Sequence, residues 1–166
     1  MALCVGERQL LGFTCKTLVR EMTKYIFDTN IFNRLVDGTF LLSELPPDAE
    51  FFATHIQIDE LNKTKDTERR AKLFLMFVET APKLIPTESF AIGVSRIGQA
   101  KISKKDNIAQ NIRSDLDNRN GAKHNNVQDA LIAEAAAVNE LTLVTADYDL
   151  AQVASKYGIR YIYHSY

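Results

Sequence analysis

The sequence predicts an α/β fold in which a parallel sheet is covered by helices on both faces, an α/β/α sandwich. Three observations lead there. Short apolar runs of strand length alternate with stretches of helical periodicity along the chain. These runs are continuously apolar rather than alternating in polarity, as expected of strands buried on both sides. Several of them stop at a carboxylate or a small polar residue, the edge at which such sheets bind ligands.

In order, Tyr25-Ile26-Phe27 is the first strand and runs into Asp28-Thr29-Asn30. Ile31, Phe32 and Leu35 then recur at helical spacing, so Asp28 stands between strand and helix. Residues 41–45 add one turn before Pro46-Pro47. Phe51-Phe52-Ala53 is a second strand, followed by Thr54 and a helix carrying Ile56, Ile58, Glu60 and Leu61. Asp66 opens a longer helix through Thr80, with an apolar stripe of Ala71, Leu73, Phe74, Phe77 and Val78. Residues 83–86 form a short third strand.

Between 88 and 123 the pattern weakens. It predicts a helix over 90–100 in spite of Gly93 and Gly98, an exposed basic loop over 101–105, and a helix from Asp106 to about Asn118 closed by Asn120-Gly121. Asn125 and Asn126 precede an alanine-rich run, the pattern of a helix start with Asn126 as cap. Leu131, Ala135 and Val138 fall on one face of this helix. Asp129 falls in its first turn, where the partial positive charge of the N-terminus favours the ionised carboxylate. Residues 141–144 are a fourth strand ending in Thr145-Ala146-Asp147-Tyr148-Asp149. A helix over 150–157 stops at Gly158, and 160–163 form the last strand.

At 166 residues the chain is one domain with a substantial core. Met22 precedes the first clear strand, so 1–21 read as an N-terminal arm and 22–166 as the domain. Twenty basic residues against twenty-one acidic ones leave no bulk positive charge, which weighs against a binder relying on a broad basic footprint. The two cysteines, Cys4 and Cys15, have no metal-type spacing, so a reduced, cytoplasmic protein is expected. No run is long enough to span a membrane.

Taken singly, each acid at a strand end has a plain structural reading: Asp129 as a first-turn acid, Asp147 or Asp149 as a helix cap. Together they converge. Asp28 follows the first strand, Glu60 lies on the helix after the second, Asp129 heads the alanine-rich helix and Asp147 follows the fourth strand, with Asp149 as a lower-ranked fifth. Carboxylates gathered without a matching Arg or Lys repel one another where water is scarce. A divalent cation makes such a cluster tolerable, and all-oxygen ligands select Mg²⁺ or Mn²⁺. Such an ion supports in-line hydrolysis of a nucleic-acid backbone without a protein nucleophile.

On F-D-T-N (27–30), T-H-I-Q-I-D-E-L (54–61), D-A-L-I-A (129–133) and L-V-T-A-D-Y-D-L (143–150), the sequence resembles the PIN-domain nucleases, and most the VapC-type toxin branch. The resemblance covers 24–163. It implies Asp28, Glu60, Asp129 and Asp147 as the catalytic acids, with Asp28, Asp129 and Asp147 on the metal. Asn30 and Thr145 match the residues that position the acids, and Asp149 matches a position often acidic in the family. It further implies a five-stranded parallel sheet in the order 3-2-1-4-5, single-stranded RNA as substrate, a homodimer and a small antitoxin protein as partner. The 88–123 stretch is longer than in a compact toxin of this type.

Other readings compete for the same residues. Asp59 rivals Glu60 for the second acid, but the E-L match and the face Glu60 shares with Ile56 favour Glu60. His55 with Asp59 or Glu60 suggests zinc, against a capping or packing histidine. His124 could touch RNA, against an exposed loop residue. Lys63, Lys65, Arg69 and Arg70, and likewise Lys101, Lys104 and Lys105, could bind phosphates. The first group is interleaved with Asp66 and Glu68 as on a solvated helix face. A haloacid-dehalogenase-type phosphatase wants an acid where Asn30 stands, and a receiver domain wants a paired acid near the first strand. The non-enzymatic alternative is a catalytically inactive PIN-like module that binds RNA or protein.

Overall fold

A computed structural model describes residues 22–80, 82–100 and 108–165. Its sheet has five parallel strands, β1 (Lys24–Phe27), β2 (Glu50–Ala53), β3 (Lys83–Leu84), β4 (Thr142–Thr145) and β5 (Tyr161–Tyr163), in the order 3-2-1-4-5. The predicted architecture is therefore present. Around the sheet lie α1 (Thr29–Val36), α2 (His55–Asn62), α3 (Thr67–Thr80), α4 (Ile108–Asn120), α5 (Asn126–Val138) and α6 (Tyr148–Lys156), with a 3₁₀ turn at Leu42–Glu44.

Side chains alternate across a strand, and that alternation builds two cores. Ile26 and Leu143 face a cluster formed with Ile112 and Leu116 of α4, Leu131 and Ile132 of α5, and Leu150 of α6. Tyr25, Phe27 and Val144 face the other cluster, with Ile31 and Phe32 of α1, Leu61 of α2, and Leu73 and Phe77 of α3. The sheet is thus covered on both sides. β1 sits between β2 and β4, with Ile26 opposite Phe52 on one side and Leu143 on the other. The chain travels outward through β2 and β3, then returns to place β4 beside β1. The gap between the C-terminal ends of β1 and β4 is where the strand order reverses.

Several local expectations are corrected. No helix forms over 90–100: the chain makes turns there, with Gly93 and Gly98 in left-handed conformations (φ 82° and 83°) that a helix does not accept, and one parallel bridge joins Thr87 to Ala100. The lysine loop at 101–105 lies outside the described residues, as does Asp106. α4 runs two residues past Asn118 to Asn120, and Gly121 (φ 76°) turns the chain as expected. Of the five-residue stripe on α3, Leu73 and Phe77 are buried, Phe74 is half-buried, and Ala71 and Val78 are exposed. Val138 is likewise exposed, because the last turn of α5 leaves the core.

The start of α5 also differs. Asn125 is the cap and Asn126 the first helical residue. Asn126 is buried and donates to Asp117 (2.6 Å) and Asn120 (2.8 Å), which ties the head of α5 to the end of α4. α6 begins two residues earlier than Leu150, because the Asp147 side chain accepts from the amides of Asp149 (2.8 Å) and Leu150 (3.1 Å) and caps it. No described helix is long and apolar enough to cross a membrane.

Candidate active site

Four of the acids singled out in the sequence are brought to one edge of the sheet, at the reversal between β1 and β4. Asp28 follows β1 directly and is 3 % exposed. Its amide donates to the Val144 carbonyl (2.9 Å), continuing the β1–β4 pairing by one residue. Its Oδ2 accepts from Asn30 Nδ2 (2.6 Å) and Thr145 Oγ1 (2.7 Å). Asn30 in turn accepts from the Ala146 amide (3.2 Å), and Thr145 Oγ1 from the Asp147 amide (3.0 Å). The two expected positioning residues therefore stitch the end of β1 to the end of β4 around the Asp28 carboxylate.

Two further hydrogen bonds orient acids and were not read from the sequence. Thr29 Oγ1 donates to Glu60 Oε2 (2.5 Å), fixing the acid of α2 against the head of α1. Asn125 Nδ2 donates to Asp129 Oδ2 (3.0 Å). Both had a sequence signal: Thr29 lies inside F-D-T-N, and Asn125 lies one helical turn from Asp129. Gln57 is a third addition. Fully buried, it donates from Nε2 to the Phe27 carbonyl (2.9 Å), and its Oε1 accepts from the Thr54 amide (2.9 Å) and hydroxyl (2.7 Å). It locks the start of α2 to the end of β1, and so holds Glu60 on the side of Asp28.

The electrostatics record this proximity. Burial pushes Asp129 up to about 9, with the charges of Asp28, Glu60 and Asp147 adding to the effect and Lys123 opposing it. Burial likewise raises Asp28 to about 6, reinforced by Glu60 and Asp147 and opposed by the hydrogen bond from Thr145. Glu60 is raised mainly by burial, against the bond from Thr29 and the nearby charge of Lys63. Among the described residues, no Lys or Arg forms an ion pair with Asp28, Glu60, Asp129 or Asp147. Within the described residues the cluster is offset only by the more distant charges of Lys63 and Lys123.

Its donor set, carboxylate oxygen throughout, fits a hard divalent cation rather than zinc or a redox metal. The spacing is looser than a closed coordination shell. Among the described residues, no three His, Cys, Asp or Glu side chains converge on a point that would hold a metal ion. The two findings address different ranges: charges perturb one another over distances longer than a metal–oxygen bond. The acids share one neighbourhood, and a cation would have to draw them together.

The remaining candidates separate cleanly. The Asp149 side chain turns to Arg119 (3.3 Å), and only its amide meets the cluster, donating to Asp147. Asp59 is engaged by Arg96, with Nε to Oδ2 at 3.1 Å and a second bond from Nη2 to Oδ1, which leaves Glu60 as the acid facing the cluster. His55 is buried, accepts at Nε2 from the Arg96 amide (3.3 Å) and has its pKa lowered by burial, as befits a packing residue. His124 is exposed. Arg69 is bound to Asp37 and Asn33, and Arg70 to the Thr64 carbonyl, so neither is a spare phosphate ligand.

No protein-family model matches the chain, and no curated protein matches it in sequence. Solved structures do. A member of the VapBC family of toxin–antitoxin systems, VapBC-5 from Mycobacterium tuberculosis, aligns over 86 % of this chain and 99 % of its own, with a TM-score of 0.51 and 19 % identity. VapBC2 from Rickettsia felis, solved bound to a DNA fragment from its promoter, aligns over 87 % and 99 %, with a TM-score of 0.51 and 16 % identity. At this identity the likeness is one of fold. The structural neighbours are VapBC complexes, and the likeness to VapC-type PIN domains expected from the sequence holds at that level.

Proposed function

We propose that the protein is a metal-dependent endoribonuclease that hydrolyses phosphodiester bonds of single-stranded RNA. The observation that carries this reading is that Asp28 and Asp129, at the strand-order reversal, are buried and both feel the charges of Glu60 and Asp147, with Asp129 pushed up to about 9. A fold that needed only helix caps there would not gather four acids that no described Lys or Arg pairs with. In this reading Asp28, Asp129 and Asp147 hold Mg²⁺ or Mn²⁺. When bound, the ion supplies Lewis acidity, acidifying water and drawing charge from a phosphoryl oxygen.

The chain's own residues do the rest. Thr145 and Asn30 fix the Asp28 carboxylate, Asn125 orients Asp129, and the cap at α6 fixes Asp147. Glu60, held at Oε2 by Thr29, is left to accept the proton of the attacking water. Water attack in line expels the 3′ oxygen, so the products carry a 5′-phosphate and a 3′-hydroxyl.

The fold neighbours support a narrower assignment, the toxin of a toxin–antitoxin pair restrained by a small antitoxin; to this we add, as part of the proposal, action in the cytoplasm as a homodimer. The domain assigned to this activity is 22–166, with 1–21 as an arm outside it. One observation favours the alternative of an inactive PIN-like binding module: no three of the described acids close on a metal position.

Incubation of labelled single-stranded RNA with Mg²⁺, Mn²⁺ or EDTA, followed by end-group analysis, decides between them. The nuclease reading expects cleavage that stops in EDTA and leaves 5′-phosphate ends. Intact RNA under all three conditions would establish the binding module instead.

A further inference from the structure

Several of the described cations are engaged by acids. Lys72 pairs with Glu68, Lys83 with Glu50, Lys156 with Asp115, and Arg69, Arg96 and Arg119 with Asp37, Asp59 and Asp149. Lys63 and Lys123 differ. Both are exposed, and neither side chain forms an ion pair or hydrogen bond among the described residues. Yet each stands near one carboxylate of the cluster: Glu60 feels the charge of Lys63, and Asp129 that of Lys123.

Backbone geometry fixes both positions. Lys63 is the C-cap of α2, its amide donating to the carbonyls of Glu60 and Leu61, one turn beyond Glu60. Lys123 follows two consecutive left-handed residues, Gly121 (φ 76°) and Ala122 (φ 57°), whose amides both donate to the Asp117 carbonyl (3.1 and 3.2 Å). The Lys123 carbonyl then accepts from the Asn126 amide (3.1 Å). A non-glycine residue in the left-handed region costs about 1 kcal/mol, and here that conformation sets Lys123 at the head of α5. The cluster is thus flanked from two separate elements, the end of α2 and the entry to α5, by lysines that do not collapse onto it.

An acidic site repels the polyanion it is to cut, and a cation within the cluster offsets this only at the phosphate being cleaved. Phosphates on either side need positive charge outside the cluster. Lysine suits the task, as a hydrated point charge on a flexible stem that adapts to a single strand. We propose that Lys63 and Lys123 anchor the RNA phosphates flanking the scissile one, an inference that rests on the ribonuclease reading of the acids.

The test is equilibrium binding of fluorescein-labelled oligouridine with Mg²⁺ present, in the full chain carrying Glu60→Gln, which keeps the three proposed metal ligands while preventing the strand from being cut. Anisotropy is followed as a function of salt. Lys63→Ala and Lys123→Ala should each weaken binding about threefold or more and each lower the slope of log affinity against log salt by about 0.7. Lys72→Ala, whose lysine is paired with Glu68 on α3, should do neither. Thermal melts confirm that all the variants are folded. Unchanged affinity and slope in both lysine variants would overturn the anchors while leaving the nuclease reading standing, and so would an equal loss in Lys72→Ala. Absence of RNA binding before any lysine is replaced would remove the ribonuclease reading and the anchors with it.

Discussion

Replacing Asp129 with asparagine should stabilise the metal-free protein at neutral pH. Asp129 is 5 % exposed and shares its surroundings with three other acids, which with burial push it from an ordinary 3.8 to about 9. A carboxyl raised in this way favours the fold fully below the unfolded value. Its contribution is lost as pH climbs from about 4 to about 9, because the unfolded chain ionises first. Between 3.8 and pH 7, at about 1.4 kcal/mol per pH unit, the ceiling on this loss is about 4 kcal/mol. Relaxation around the site and sharing of the burden with Asp28 reduce it, so we expect a gain of roughly 1–4 kcal/mol for Asp129→Asn at pH 7. Asparagine keeps an acceptor for Asn125, whose 3.0 Å bond to Oδ2 would otherwise be lost. Urea unfolding in EDTA, followed by circular dichroism across this pH range, measures the effect. The wild type should weaken as pH rises and the variant should weaken less. A variant no more stable than wild type at pH 7, with the same pH slope, would refute the reasoning.

Other perturbations probe the frame around the site. Gln57→Ala leaves the Phe27 carbonyl and the Thr54 donors without their buried partner and should cost about 2–3 kcal/mol by chemical denaturation. Thr145→Val removes a donor from Asp28 Oδ2, so the Asp28 titration, read by carboxyl carbon NMR, should move above its present value of about 6. Ile112→Ala, at a fully buried position of α4 facing α5, should cost about 2–5 kcal/mol in urea. Arg69→Ala breaks a half-exposed pair with Asp37 and a hydrogen bond to Asn33, and should shift the urea midpoint far less than Ile112→Ala does.

The frame of the molecule was legible because its strands are apolar on both faces and its helices begin at recognisable caps. Asp28, Asp129 and Asp147 could be placed at one edge because each follows a strand or heads a helix, Glu60 because its helix follows the second strand, and a parallel sheet points all its strand ends the same way. The residues that orient the acids were harder to see. Thr29 and Gln57 are ordinary polar residues until tertiary packing brings Glu60 and Phe27 within reach, and Asn125, one helical turn from Asp129, was read only as a helix start. The helix expected over 90–100 in spite of Gly93 and Gly98 failed for a local reason: both glycines stand in left-handed turns. Asp147 combined readings that were set against each other in the sequence: it caps α6 and also belongs to the acid cluster.

The most direct measurement is titration of the full chain with Mn²⁺, with the free ion followed by electron paramagnetic resonance, for wild type and Asp28→Asn. One shared pocket predicts that wild type removes Mn²⁺ from solution and melts at a higher temperature as it does so, and that the variant loses most of both effects. Identical curves for the two proteins, or no uptake by either at millimolar metal, would contradict it.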